Sequence, residues 1–270
     1  MNAKAFPGLP RGPAALASVV QGLLMHEHLA PSYGLELSDA QHAEAHLRSV
    51  DGMLESIAAR DPAPLAKARP PAARQVGVCR HFTLLHATML RDQGVPARAR
   101  CGFGAYFAAG KYYDHWVTEY WKAAETRWVL VDAQLDAHQR ALFKVDFDPL
   151  DVPRDQFLVA GEAWRRCRTG RADPADFGIL GMHGLWFIAS NVIRDLAALN
   201  DRVMLPWDVW GVMTASDSEL DLGLIDRLAA LTRTPGADPN ALRTAYADPR
   251  VAVPAVVHNH IRGRAEPGDK

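Results

Sequence analysis

The chain has 270 residues, 49% hydrophobic and 23% charged, and its 30 Lys and Arg nearly balance 31 Asp and Glu, for a formal net charge of −1. That composition fits an ordinary soluble chain, and it excludes the basic excess expected of a nucleic-acid or anionic-membrane binder and the apolar run of about 18 residues needed to span a bilayer. The N-terminal stretch lacks a clean apolar segment, because Gln21, His26 and Glu27 interrupt it, so a cytoplasmic setting is expected. Cys79, Cys101 and Cys167 make an odd count without C-x-x-C spacing, which indicates neither a disulfide framework nor a structural zinc site.

Pro13 opens a predicted helix over residues 13–29, with Leu16, Val19, Val20, Leu23 and Leu24 on its apolar side. His26-Glu27-His28 near its end is not a zinc signature, since histidines two apart on a helix point in different directions. Ser38-Asp39-Ala40-Gln41 is a capping-box pattern, and Leu47, Val50, Leu54 and Ile57 carry a second predicted helix to about Ala59. His42 and His46 are four apart, but no third metal ligand accompanies them, and no metal is expected. Residues 60–74 hold Pro62, Pro64, Pro70 and Pro71 and predict an extended connector that forms one wall of a cleft. Gln75, just upstream of Cys79, is a candidate oxyanion donor.

Cys79 opens a run in which Phe82, Leu85 and Met89 mark one apolar helix face, ended by Gly94 and Pro96. A thiol at that helix N-terminus is favoured as a thiolate by unpaired backbone N–H groups and the helix dipole. Alternation from Ala97 to Phe103 predicts a half-buried strand, and Tyr112–Trp121 and Arg127–Asp132 predict two more. A hairpin closed by Ala123-Ala124, or by a loop over 122–125, sets His115 directly across from Asp132. An odd loop offsets them by one position.

Beyond Asp132, residues Gln134, Asp136 and His138 follow at every second position and either line the cleft or face solvent, with solvent as the default expectation. Helices are predicted over residues 156–168, 183–200, 218–231 and 240–248, the third capped by Asp217 or Ser218. Trp207 and Trp210, in a proline-broken loop, are either core anchors or the cap of an apolar pocket. The tail after Val257 is expected to be loose.

A cysteine at a helix N-terminus followed by histidine and aspartate on successive strands is the order of a thiol acyl-transfer enzyme. The motifs Gly77-Val78-Cys79-Arg80, Leu90 to Arg98 (LRDQGVPAR), His115-Trp116-Val117-Thr118-Glu119 and Trp128-Val129-Leu130-Val131-Asp132 resemble the bacterial transglutaminase-like core. His81 departs from the pattern, standing where many relatives carry an acidic residue. The resemblance implies an α+β, papain-like fold with added N- and C-terminal helices, and a triad of Cys79 as nucleophile, His115 as acid and base, and Asp132 as the group that orients the imidazole.

One domain is expected, with a helical region and connector over 1–74, a core over 75–140 and a helical extension over 141–270. The implied chemistry is acyl transfer from a small-molecule or peptide donor, with an amine as acceptor and without a cofactor. A hydrolase with the same triad and a silent binding module are the alternatives. Gln75, Trp116, Trp207 and Trp210 are the candidate substrate-binding residues.

Overall fold

A computed structural model of the chain describes residues 6–268. It is a mixed α and β structure whose chain divides into two compact units: residues 1–99 with 117–152, and residues 100–116 with 153–270.

In the first unit, α1 (Pro13–Leu23) runs into β1 (Leu24–His26) and a 3-10 turn over Glu27–Tyr33. The single helix expected over 13–29 therefore ends six residues early. The chain becomes extended at Leu24 and pairs in parallel with β2 (Gln75–Gly77), Leu24 opposite Gln75. The second predicted helix is also split, into α2 (Asp39–Glu44) and α3 (Val50–Arg60). Ser38 closes the expected capping box with Gln41, and Ser49 supplies a second cap by accepting from the Gly52 N–H at 3.1 Å. A new N-cap inside an apolar repeat breaks a helix that periodicity alone would continue.

The connector over 60–74 is not extended. Buried Arg69 donates to the carbonyls of Asp61, Ala63, Pro64 and Lys67 at 2.5–3.1 Å and gathers the prolines into a compact loop.

The central element is α4 (Cys79–Asp92), buried almost all round and packed on α1. A helix so enclosed must satisfy its polar side chains internally, and His86 does so by bonding the Pro13 carbonyl at 3.0 Å. Strands β3 (Ala97–Gly104) and β4 (Tyr112–Lys122) each contribute to both units, and β5 (Arg127–Val131) pairs antiparallel with β4. The Thr118 hydroxyl donates to the Thr83 carbonyl of α4 at 3.3 Å.

The observed hairpin register pairs Thr118 with Val131 and Lys122 with Arg127. The connection is Ala123–Thr126, a 3-10 turn closed by Thr126 in the left-handed region at φ 50°. This loop is even, as supposed, but begins one residue later than the 122–125 alternative. Every pairing shifts accordingly: Asp132 falls just past the last paired residue, and His115 is not its direct partner. α5 (Ala137–Leu142) follows, capped by Asp136.

In the second unit β6 (Phe157–Val159) pairs with the end of β3, Gly102 opposite Val159, and leads into α6 (Ala160–Arg168). β7 (Phe177–Ile179) lies parallel to the start of β4 and turns back as β8 (Met182–His183), so the strand order in this unit is β6-β3-β4-β7-β8. Helix α7 (Leu185–Leu199), strand β9 (Asp208–Val209), helices α8 (Leu222–Arg233) and α9 (Pro239–Tyr246), and the hairpin β10 (Val256–Asn259) and β11 (Arg264–Pro267) complete it. The core of this unit is formed by Trp164, Phe187, Ile188, Val192, Leu196 and Leu228 with their neighbours from α6, α7 and α8.

Asp221, not Asp217 or Ser218, caps α8. Asp217 instead accepts from the Trp186 N–H at 2.7 Å, near the start of α7. The tail expected to be loose is held in a three-stranded sheet, where Asn259 pairs with Asp208. Among the described residues no helix is long and apolar enough to cross a membrane.

Candidate active site

Cys79 is the first residue of α4, 6% exposed, preceded by Val78 in extended conformation. The start of this helix is built from polar groups that sequence reading left unassigned. His81, at the third helical position, accepts from the Val78 N–H through Nδ1 at 3.1 Å and donates from Nε2 to the Leu47 carbonyl at 2.9 Å. That is the reach-back half of a capping box, the role an acidic residue fills at such a position, so the departure from the family pattern keeps the local hydrogen bond. Burial, reinforced by the neighbouring Arg80 cation, lowers His81 to a pKa of about 3, and the ring is neutral. Gly77 is required beneath it, because a Cβ there would stand 2.8 Å from the His81 ring.

Buried Arg80, the residue after Cys79, donates to the Leu47 and Arg48 carbonyls at 3.3 and 2.5 Å, which holds its guanidinium against that segment. The helix dipole and the terminal N–H groups favour negative charge at the first turn of α4.

Gln75 lies fully buried on β2, its amide donating to the Val76 carbonyl and its Oε1 buried without a partner. Asp132, 1% exposed, accepts from the Gln134 N–H at 3.0 Å through Oδ1, and its own N–H donates to the Pro149 carbonyl at 2.8 Å.

The polar residues after Asp132 do not all face solvent. Gln134 is buried and donates to Gln139 at 2.9 Å; Gln139 donates to the Tyr33 hydroxyl at 3.2 Å; Tyr33 donates to Asp136 at 2.7 Å. Asp136 also caps α5 by accepting from the Gln139 N–H at 2.9 Å. Only His138 is exposed as expected, with its ring 4.2 Å from that of Tyr33. Period-2 spacing hid this because the segment is not a strand: it turns into a helix, and Tyr33 comes from a distant part of the chain.

His115 belongs to the second unit, on β4, 2% exposed. Its imidazole is surrounded by Phe107, Tyr106 and Phe157, at centroid separations of 4.9, 5.8 and 6.4 Å and steep interplanar angles. Trp116 is buried, and its indole N–H has no hydrogen bond among the described residues. Next to His115 in the chain, buried Asp114 accepts from the Asn191 side-chain amide of α7 at 2.8 Å, and Arg194 donates to Asn191 Oδ1 at 3.0 Å. Burial raises the Asp114 carboxyl above its ordinary range, opposed by Arg194 and Asn191.

Trp210 is a core anchor, its indole donating to the Val251 carbonyl at 2.9 Å, and Trp207 is half-buried. Neither Tyr106 nor Phe107 is marked by periodicity. The available signal was an aromatic pair two residues after the second of two strand glycines, Gly102 and Gly104.

Among the described residues no disulfide joins the cysteines, and no group of three His, Cys, Asp or Glu is arranged to hold a metal ion. Burial pushes the Cys167 thiol up to about 12, assisted by Asp173 and Asp176, so it is a poor nucleophile at neutral pH.

Residues 35–133 match the model of the transglutaminase-like superfamily. Over this segment the chain is similar to that superfamily. The match takes in α2 and α3 as well as α4 and β2 to β5, and it contains Cys79, His115 and Asp132. The superfamily is one of papain-like cysteine enzymes, and the α+β architecture with added helices agrees with it. No curated protein and no solved structure matches the chain.

Proposed function

We propose that this protein is a cysteine-dependent acyl-transfer enzyme in which Cys79, His115 and Asp132 act as one triad. The observation that carries the reading is the placement of Cys79 as the first residue of α4, in a segment that matches the model of a cysteine-enzyme superfamily. In the first step Sγ attacks the carbonyl carbon of an amide, ester or thioester, and His115 takes the thiol proton. The tetrahedral intermediate collapses to a thioester, and the leaving group departs with the proton from His115. In the second step an amine or water attacks the thioester, gives its proton to His115, and Sγ leaves.

Asp132 steadies the imidazole through its Nδ1–H. The Cys79 backbone N–H is the oxyanion donor, a group whose loss costs about 10² to 10³ in rate at such sites. The donor is a small molecule or peptide, and an amine is the favoured acceptor. A cytoplasmic setting would keep the nucleophilic thiol reduced.

The test is the pH dependence of Cys79 alkylation by iodoacetamide, read by peptide mapping in wild type and in His115→Ala. The expected result is selective reaction at Cys79 well below the free-thiol pKa of about 8.5, lost in the variant. If Cys79 reacts no faster than Cys101 or Cys167, or is indifferent to His115, the reading fails. Product analysis with and without added amines then separates transfer from hydrolysis.

A further inference from the structure

Strand β3 ends in Cys101-Gly102-Phe103-Gly104, and the two glycines are not interchangeable with any residue that carries a side chain. A Cβ on Gly102 would stand 2.9 Å from the Phe157 ring and 2.1 Å from the Leu158 carbonyl oxygen. A Cβ on Gly104 would stand 2.8 Å from Phe107 Cε2 and 3.0 Å from the Tyr106 ring. The space that two side chains would occupy is filled instead by three aromatic rings, and these are the same three that surround His115.

Tyr106 and Phe107 also pack on each other at 4.5 Å, and Phe107 reaches Tyr113 at 6.1 Å. Phe157 and Tyr106 are buried, whereas Phe107 and Tyr113 are half-buried and keep part of their surface accessible. Tyr113 in turn lines a cleft of about 260 Å³ walled by Ile179, Leu180 and Met182, with Lys111 and Asp176 paired at 2.6 Å on its rim. Leu180, at the tip of the β7–β8 turn, is 72% exposed.

We propose that the half-exposed Phe107 and Tyr113 form the recognition surface for the acyl donor, and that the donor class is one with a flat apolar body, an aryl-bearing acyl group. This rests on His115 serving as the acid and base of the reaction. Ligand sites combine apolar and aromatic walls with a few polar groups, and here the polar group is the imidazole itself. Rings packed around a reacting imidazole also keep water from it, which favours an amine over water as acceptor.

Two measurements test this. The first compares Cys79 alkylation by N-benzyl-iodoacetamide and by iodoacetamide, each rate divided by that for glutathione. In both, the thiolate displaces iodide and a C–S bond forms, so only the apolar body differs. The expected preference for the benzyl reagent is about tenfold, the scale of a good apolar contact, and it collapses toward one in Phe107→Ala. Gly104→Ala, whose new methyl pushes the Phe107 ring aside, reduces it in part.

The second is saturation-transfer NMR with phenylacetamide against acetamide, which reads the same preference without the thiol. Phenylacetamide is expected to bind wild type and to lose most of its signal in Phe107→Ala. Equal reagent rates in wild type, or equal amide signals in wild type and Phe107→Ala, overturn the proposal. A Cys79 that is unreactive toward iodoacetamide, combined with a phenylacetamide signal that depends on Phe107, would instead refute the triad and leave the aromatic surface standing.

Discussion

The two histidines buried in α4 should make the protein acid-labile well before its carboxylates titrate. His81 and His86 are both fully buried, and burial is the first cause that lowers them from an ordinary 6.5 to about 3 and about 4. In the unfolded chain both bind a proton below 6.5, whereas in the folded chain they do not until the lower values are reached. The unfolded state therefore holds more protons in that interval, and stability falls as the pH falls. The contribution is fully present above pH 6.5 and is lost progressively down to about pH 3 for His81 and about pH 4 for His86.

At pH 4.5, about two pH units below the unfolded value, each ring costs about 2–3 kcal/mol, and the pair about 5 kcal/mol. That is a large part of the 5–15 kcal/mol that typically holds a domain. Urea unfolding across pH 4.5–7.5 gives the proton uptake from the slope of the unfolding free energy against pH. His86→Met removes one titrating ring while keeping an apolar side chain of similar bulk. It should lower the uptake near pH 5 by about one proton relative to wild type, whatever constant cost follows from losing the Pro13 contact. An unchanged slope would show that His86 is protonated in the folded state and would refute the burial argument.

Two further outcomes follow from the buried polar networks. Asn191→Ala removes the bond to Asp114 and the acceptor of Arg194, leaving two buried charged groups short of partners. A loss of about 3 kcal/mol or more in urea unfolding at pH 7.5 is expected, and a change below 1 kcal/mol would mean the pair is not desolvated as described. Tyr33→Phe deletes the hydroxyl that donates to Asp136 and accepts from Gln139. The expected cost is about 1–2 kcal/mol, together with faster hydrogen exchange in α5, whose cap is Asp136; full retention of both would place Tyr33 outside that network.

Legibility in the sequence followed the range of the interaction involved. The helix at Cys79 was readable because its apolar spacing and its Gly94 and Pro96 stop are local, and so was the Ser38 and Gln41 capping box. The breaks at Leu24 and at Ser49 were not. The first is imposed by pairing with β2, some fifty residues away, and the second by one serine within an otherwise helical repeat. The β4–β5 hairpin was expected, but its register was set by a left-handed Thr126, which Ala-Ala-Glu-Thr does not announce. Gln134 and Asp136 read as solvent-facing because nothing near them in sequence predicts Tyr33 as their partner.

The sequence by itself determined the helix that begins at Cys79, the likeness of residues 35–133 to the transglutaminase-like superfamily and the three residues on which acyl transfer is proposed to rest, because motif spacing and helix-terminus chemistry are written in consecutive positions. Only the tertiary structure decided that His81 is a neutral capping group, that Arg80 is buried against the Leu47 and Arg48 carbonyls, and that His115 stands among three rings which two glycines make room for. Each of these depends on desolvation and on close approach between distant segments, and neither quantity exists until the chain has folded.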